Sequence, residues 1–208
     1  MALIGIYGAG GCGRGVMPLA RQAYGHNHKL LFVDDQLSGE SINGHQTLSF
    51  DEFAALEDDD KAISLAIANG KIREKLDKKS GDAGIAFTDI HAAQMVHMDA
   101  ADVGVGSIFS PFTTLTSNIR IGRHFHCNLY SYVEHDCIIG DFVTFAPAVR
   151  CNGNVRIGDR AYIGSNAVIK QGVIVGEDAV IGMGAVVTKD VGRGQTVVGN
   201  PARPLDPK

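Results

Sequence analysis

The chain has 208 residues, 45% of them hydrophobic and 20% charged, with a net charge of −4. This fits a globular protein of one large or two small domains. With no basic cluster it argues against a nucleic-acid partner, and no apolar run approaches the roughly 20 residues that cross a bilayer.

The N-terminus, MALIGIYGAG, has no charged n-region and reads as a first strand rather than a signal peptide. That strand, Leu3 to Tyr7, feeds a loop with five glycines in eight residues, Gly8 to Gly15, and a helix predicted from Gly13 to Tyr24 with Pro18 early in it. A dinucleotide-binding βα turn begins this way, with glycines letting the backbone approach a pyrophosphate at a helix N-terminus. A second strand, KLLFVDD, ends in Asp34 and Asp35, where such a fold places a ribose-binding acid. TLSFDEFAAL predicts a short helix capped by Ser49, with Glu52 completing a capping box. Glu57 to Lys61 reads as a solvated turn. KAISLAIANG predicts a buried strand, GKIREKLDKKS an amphipathic helix, and GIAFTDI a closing segment. About four strands alternating with helices give residues 1–90 the pattern of a small parallel sheet, half of a dinucleotide fold.

From Val103 the pattern changes. Counting by sixes gives Val103, Phe109, Leu115, Ile121, Cys127, Val133, Ile139, Phe145, Cys151, Ile157, Ile163, Ile169, Val175, Ile181 and Val187, all apolar. At 45% hydrophobic content, chance gives such a run roughly six times in a million, so the period is real. Four residues after most of these comes a second small or apolar residue, among them Ser107, Thr113, Val143, Val149 and Ala161. A six-residue repeat is the signature of a parallel β-helix, three hexapeptides to a coil. Residues 91–208 are therefore predicted to form such a helix of five coils, without insertions, and a C-terminal tail.

Within this repeat His135 and Asp136 fall at an outward turn. A histidine followed by a carboxylate there fits an oriented general base; a solvated turn histidine is the alternative. One coil later, 18 residues on, Gly153 is placed over His135, about one strand spacing away. Cys127, Cys137 and Cys151 occupy inward slots, which argues against a cysteine nucleophile. With Cys12 they lie far apart without a CxxC pair, the pattern of reduced thiols in a cytoplasmic protein. His124, His126 and Cys127 look like a metal cluster, but Cys127 points inward and two histidines do not complete a site; no metal is expected. His26, His28, His45, His91 and His97 are expected at the surface or a domain interface.

These repeats resemble the left-handed β-helix of hexapeptide-repeat acyltransferases. The whole chain resembles a narrower group, the sialic acid O-acetyltransferase and nucleotide-aminosugar N-acetyltransferase family, through GAGGCGRG, FVDD, IANGKIREKL, EHDCIIGD and the ending VVGNPARPL. The resemblance implies a cytoplasmic, acetyl-CoA-dependent N-acetyltransferase acting on a nucleotide-linked 4-amino-4,6-dideoxyhexose. O-acetylation of sialic acid or a related sugar, and a non-catalytic scaffold, are the alternatives. It implies His135 as base, Asp136 as its partner and the Gly153 amide as donor to the thioester oxyanion. Gly8, Ala9, Gly10, Gly11, Cys12, Asp34, Asp35, Asn69 and Gly70 would hold the sugar nucleotide, with Asn128 and Glu134 beside the sugar. Gly153, Ser165, Gly182, Met183 and Gly184 would line the acetyl-CoA groove, and three copies would associate by their β-helix sides. Cys12 stands where much of the family has histidine, and Met183 where relatives often have glycine.

Overall fold

The computed structural model describes residues 2–57 and 60–205. The N-terminal unit comprises β1 (Ala2–Tyr7), α1 (Gly11–Tyr24), β2 (His28–Val33), β3 (Ser41–Ile42), β4 (His45–Leu48), α2 (Phe50–Ala54), β5 (Lys61–Leu65), α3 (Gly70–Asp82) and β6 (Ala86–Phe87). Its sheet runs β3-β4-β2-β1-β5-β6, parallel except for the β3–β4 hairpin. That hairpin was not read from the sequence. Its turn, Asn43-Gly44, has positive φ at both residues, which Asn-Gly tolerates best.

One other expectation is corrected. Helix α1 starts at Gly11, two residues early, because Gly10 already takes the extended cap conformation. Gly13 then lies inside the helix, where a Cβ would sit 1.7 Å from the Gly8 carbonyl oxygen; only glycine permits this crossing. The capping box at Ser49 and Glu52 is formed as expected. The expected turn at 57–61 includes residues 58 and 59, which lie outside the described residues.

The second unit is a left-handed β-helix with three flat faces. The first face stacks Ile90–His91, Ile108–Phe109, His126–Cys127, Thr144–Phe145, Tyr162–Ile163, Val180–Ile181 and Thr196–Val198, edged by antiparallel Arg203–Pro204. The second runs from Val96–His97 through Tyr132–Val133 and Arg150–Cys151 to Val186–Val187, and the third from Ala101–Val103 through Ile138–Ile139 to Ile174–Val175. The stack thus begins a coil earlier than the five predicted. His91 and His97 continue the count of sixes backwards from Val103, and their polarity hid that coil. Both are exposed, and His91 also bonds Ser107 Oγ at 2.8 Å and packs edge-on against Phe109.

The repeat has a backbone cause. From Gly106 to Gly184 every sixth residue has positive φ, so the chain turns left at each corner. Asn118, Asp136, Asn154, Asn166 and Asp178 suit that conformation; Phe112, Tyr130, Phe142 and Arg160 adopt it because the stacked coils demand it. The inward positions, including Cys127, Cys137 and Cys151, form one continuous buried core. A second core joins β1 and α1 to Ile90, Ala92 and Ile108 of the β-helix, so the two units share apolar packing.

Candidate active site

Three corners separate the faces. Corner one, between the first and second faces, carries Asn128; corner two, between the second and third, carries Glu134, His135 and Asp136; corner three, between the third and first, carries Phe142.

At corner two His135 Nδ1 lies 2.8 Å from Asp136 Oδ2, and Asn118 Nδ2 donates to Asp136 Oδ1 at 3.3 Å. The carboxylate therefore orients the imidazole and is itself oriented. With Nδ1–H donated to Asp136, Nε2 is the basic nitrogen. The hydrogen bond to Asp136 raises the His135 pKa above its ordinary value, and the same bond, with that from Asn118, holds Asp136 below its own. Gly153 lies over the ring as the 18-residue coil requires. A Cβ there would be 2.5 Å from both Cε1 and Nε2. The Gly153 amide makes no hydrogen bond to the protein among the described residues, so it is a free donor beside the basic nitrogen. Glu134, next in the chain, adds negative potential to the same ring.

The cysteines beneath this corner are closed off. Cys137 Sγ and Cys151 Sγ approach to 4.0 Å inside the core, and Cys137 donates to the Asn152 carbonyl at 3.2 Å. Cys151 is held far above the ordinary thiol pKa by its contact with Cys137 and by burial; burial alone raises Cys127. None is an accessible nucleophile.

The glycine loop meets the β-helix elsewhere. A cavity of about 480 Å³ is lined by Gly11, Cys12 and Gly15 of α1, Ala68, and Ser110, His126 and Asn128 of the first face and corner one. The structure thus brings Gly11, Cys12 and Asn128 to one cavity. Gly8 takes the positive φ that starts the loop, Ala9 is buried behind it, and Gly10 caps the helix. The two acids part company. Asp34 accepts the Ala9 amide at 2.9 Å and so fixes the loop. Asp35 turns to the far side of the sheet, accepting the Phe50 amide at 2.8 Å and the Tyr7 hydroxyl at 3.1 Å, with Lys79 Nζ at 3.6 Å. These bonds, the Phe50 amide first, lower its pKa. Asn69 and Gly70 also miss the glycine-loop cavity. Asn69 caps α3, accepting the Ile72 amide, and Gly70 presses on the β-helix, where a Cβ would be 2.6 Å from the Phe142 carbonyl oxygen. Both line a second cavity with Lys71, Arg160 and Tyr162. Ser165, Met183 and Gly184 sit along corner one, above Asn128, with Met183 81% exposed; Gly182 lies against Val198. Within one chain, then, the glycine-loop cavity and this column share corner one, while His135 and Gly153 stand across the second face.

Sequence reading missed what joins the units. Arg73 of α3 is fully buried, donating to the carbonyls of Ile67 (2.7 Å), Phe142 (2.5 Å) and Val143 (3.1 Å) and to Thr144 Oγ1 (2.8 Å). Burial lowers its pKa to about 9, which leaves it cationic at neutral pH. Asp77 bonds Arg123 and His124, and His126 bonds the Leu65 carbonyl. The pair read as metal-like thus serves as docking contacts. A signal existed: Arg73 shares a helical stripe with half-buried Leu76 and buried Ser80.

The fold is that of the left-handed β-helix acyltransferases. The comparisons narrow it. Residues 3–79 match the PglD N-terminal domain and residues 154–189 the hexapeptide repeat of succinyl-transferase. The GDP-perosamine N-acetyltransferase of Escherichia coli O157:H7 is 49% identical, over 99% of this chain and 97% of that protein. WeeI from Acinetobacter baumannii AYE superposes with a TM-score of 0.96 at 50% identity, over 99% of this chain and all of WeeI. The acetyltransferase domain of PglB from Neisseria gonorrhoeae FA1090, solved with acetyl coenzyme A, superposes with a TM-score of 0.90 at 29% identity, over 98% of each chain. The chain belongs to the hexapeptide-repeat family of nucleotide-aminosugar N-acetyltransferases and is an acetyl-CoA-dependent sugar N-acetyltransferase.

Proposed function

We propose that this enzyme acetylates the 4-amino group of GDP-perosamine, a GDP-linked 4-amino-4,6-dideoxyhexose, as a cytoplasmic step toward a cell-surface polysaccharide. The observation that carries the reading is the 49% identity, along nearly the full length of both chains, with a GDP-perosamine N-acetyltransferase. His135 Nε2 takes the proton as the amine attacks the thioester carbonyl. The Gly153 amide faces the developing oxyanion, a donor typically worth about 10²–10³ in rate. The tetrahedral intermediate collapses, the C–S bond breaks, and His135 returns a proton to the leaving thiolate. Asp136 holds the tautomer throughout.

The sugar pocket at corner one and His135 at corner two favour a shared site in a homotrimer, where corner one of one copy meets corner two of the next. An exposed ridge on corner one, Leu129, Met183 and the stacked rings of Phe112 and Tyr130, supports such contact. Acetyl-CoA-dependent thiol release across GDP-, UDP- and dTDP-linked 4-amino-4,6-dideoxyhexoses tests the reading: turnover is expected to be greatest with GDP-perosamine, and a clear preference for a UDP- or dTDP-linked sugar overturns it. Sedimentation equilibrium is expected to give three times 22.1 kDa; a stable monomer at micromolar concentration contradicts the shared site.

A further inference from the structure

His126 serves two sides at once. Its ring lines the glycine-loop cavity, and its Nε2 lies 2.9 Å from the Leu65 carbonyl oxygen. A carbonyl only accepts, so Nε2 carries the proton and Nδ1 keeps its lone pair. Nδ1 makes no hydrogen bond among the described residues, and the ring that carries it lines the cavity. Burial, and after it the Arg73 cation, keeps this imidazole neutral far below the usual histidine range. It therefore stays an acceptor at any working pH.

Two residues on, Asn128 lines the same cavity. Its Oδ1 accepts the Leu129 amide at 2.9 Å and the Ser110 hydroxyl at 3.4 Å. Those bonds orient the side-chain amide and leave Nδ2 as a free donor. The β-helix wall thus offers an unpaired acceptor and an unpaired donor, opposite the start of α1. A hydroxyl group answers both, since it donates one hydrogen bond and accepts another. An ammonium has no lone pair for Asn128, and a phosphate oxygen has no proton for His126.

We propose that His126 is a specificity-determining residue of the sugar pocket, its Nδ1 accepting a hydrogen bond from a ring hydroxyl of the hexose while that oxygen accepts from Asn128 Nδ2. This rests on the nucleotide-aminosugar reading above. Losing one buried hydrogen bond, with its partner left unpaired, corresponds to a change of about 10- to 100-fold.

The test compares kcat/KM for the parent sugar nucleotide with those for its 2-deoxy and 3-deoxy analogues, in wild type and in His126→Gln. Glutamine reaches the Leu65 carbonyl with its own N–H but places no acceptor where Nδ1 was. The wild type is expected to favour the parent about 10- to 100-fold over one deoxy analogue. His126→Gln is expected to lose that preference at that position only, with the KM for acetyl-CoA and the melting temperature unchanged. His126→Asn, which sets an oxygen near the Nδ1 position but gives up the Leu65 bond, is expected to restore the preference at lower stability. Equal discrimination by wild type and His126→Gln at both positions overturns the proposal. The parent is whichever member of the nucleotide-aminosugar panel the wild type acetylates, so a wrong choice of nucleotide is seen in the wild type alone. Acetylation of no panel member overturns both readings.

Discussion

At Asp136 and at Phe142, one corner apart, the chain makes the same left-handed turn, with φ of 62° and 58°. Corner three is covered by α3. Arg73 holds the Phe142 and Val143 carbonyls, and His124 stacks on the Phe142 ring at 5.4 Å. At corner two the side chains of His135 and Asp136 remain 47% and 53% exposed. The repeat fixes where an outward side chain stands; what packs against it decides whether it docks a domain or meets a substrate. The buried corner trades solvent for hydrogen bonds to α3, with Arg73 Nε and His124 Nδ1 left unpaired among the described residues, and the open one keeps a titratable pair exposed.

Four substitutions sharpen this contrast. His135→Ala removes the basic nitrogen at the open corner and is expected to lower kcat by about 10²–10⁴. The inward stack is untouched, so the melting temperature and acetyl-CoA binding should persist; near wild-type kcat would place the base elsewhere. At the docked corner, Arg73→Met leaves the Ile67 and Phe142 carbonyls without a donor. It is expected to cost about 2–4 kcal/mol, read as a lower urea midpoint. A change below about 0.5 kcal/mol would mean that corner three is held by apolar packing alone.

Gly153→Ala places a methyl 2.5 Å from the His135 ring. The contacted atoms end an exposed side chain, so the ring should swing away while the coil stays put. The expected result is a fall in kcat of about tenfold or more at nearly constant melting temperature. Unchanged kcat would show that the ring is not used where it stands.

The smallest effect is expected from Asp136→Asn. Only neutral His135 can take a proton, so activity rises with pH through the His135 pKa, which the Asp136 hydrogen bond raises above 6.5. Removing the carboxylate charge lowers that pKa, so the rising limb should move to lower pH while the plateau falls only severalfold. A limb that stays in place, or moves upward, would uncouple Asp136 from the base.

The candidate site was legible to different depths. Corner two could be read because register along a repeat is arithmetic: Val133 points inward, so His135 and Asp136 fall at the turn, and Gly153 follows one coil later. The glycine-loop cavity was legible only in part. Gly11, Cys12 and Asn128 converge, but Asp35 and Gly70 are used inside the fold, and His126, on the cavity wall, stands out in the sequence only as part of an incomplete metal-like cluster.

The sequence by itself determined the β-helix, its inward cysteines and the place of its candidate catalytic corner. Each inward residue stacks on the one 18 positions away, so a local period encodes the whole coil. It also determined the capped helix α2 and the glycine loop, whose signals lie within a few residues of one another. Tertiary structure alone decided that Arg73 reaches Thr144, that His126 reaches Leu65, and that Asp34 and Asp35 face opposite sides of the sheet. The Arg73 and His126 contacts join residues 71 and 61 positions apart, across two units with unrelated periods. No repeat relates them: a buried donor takes whichever acceptor the packing brings within reach, and the sequence carries no register for that meeting.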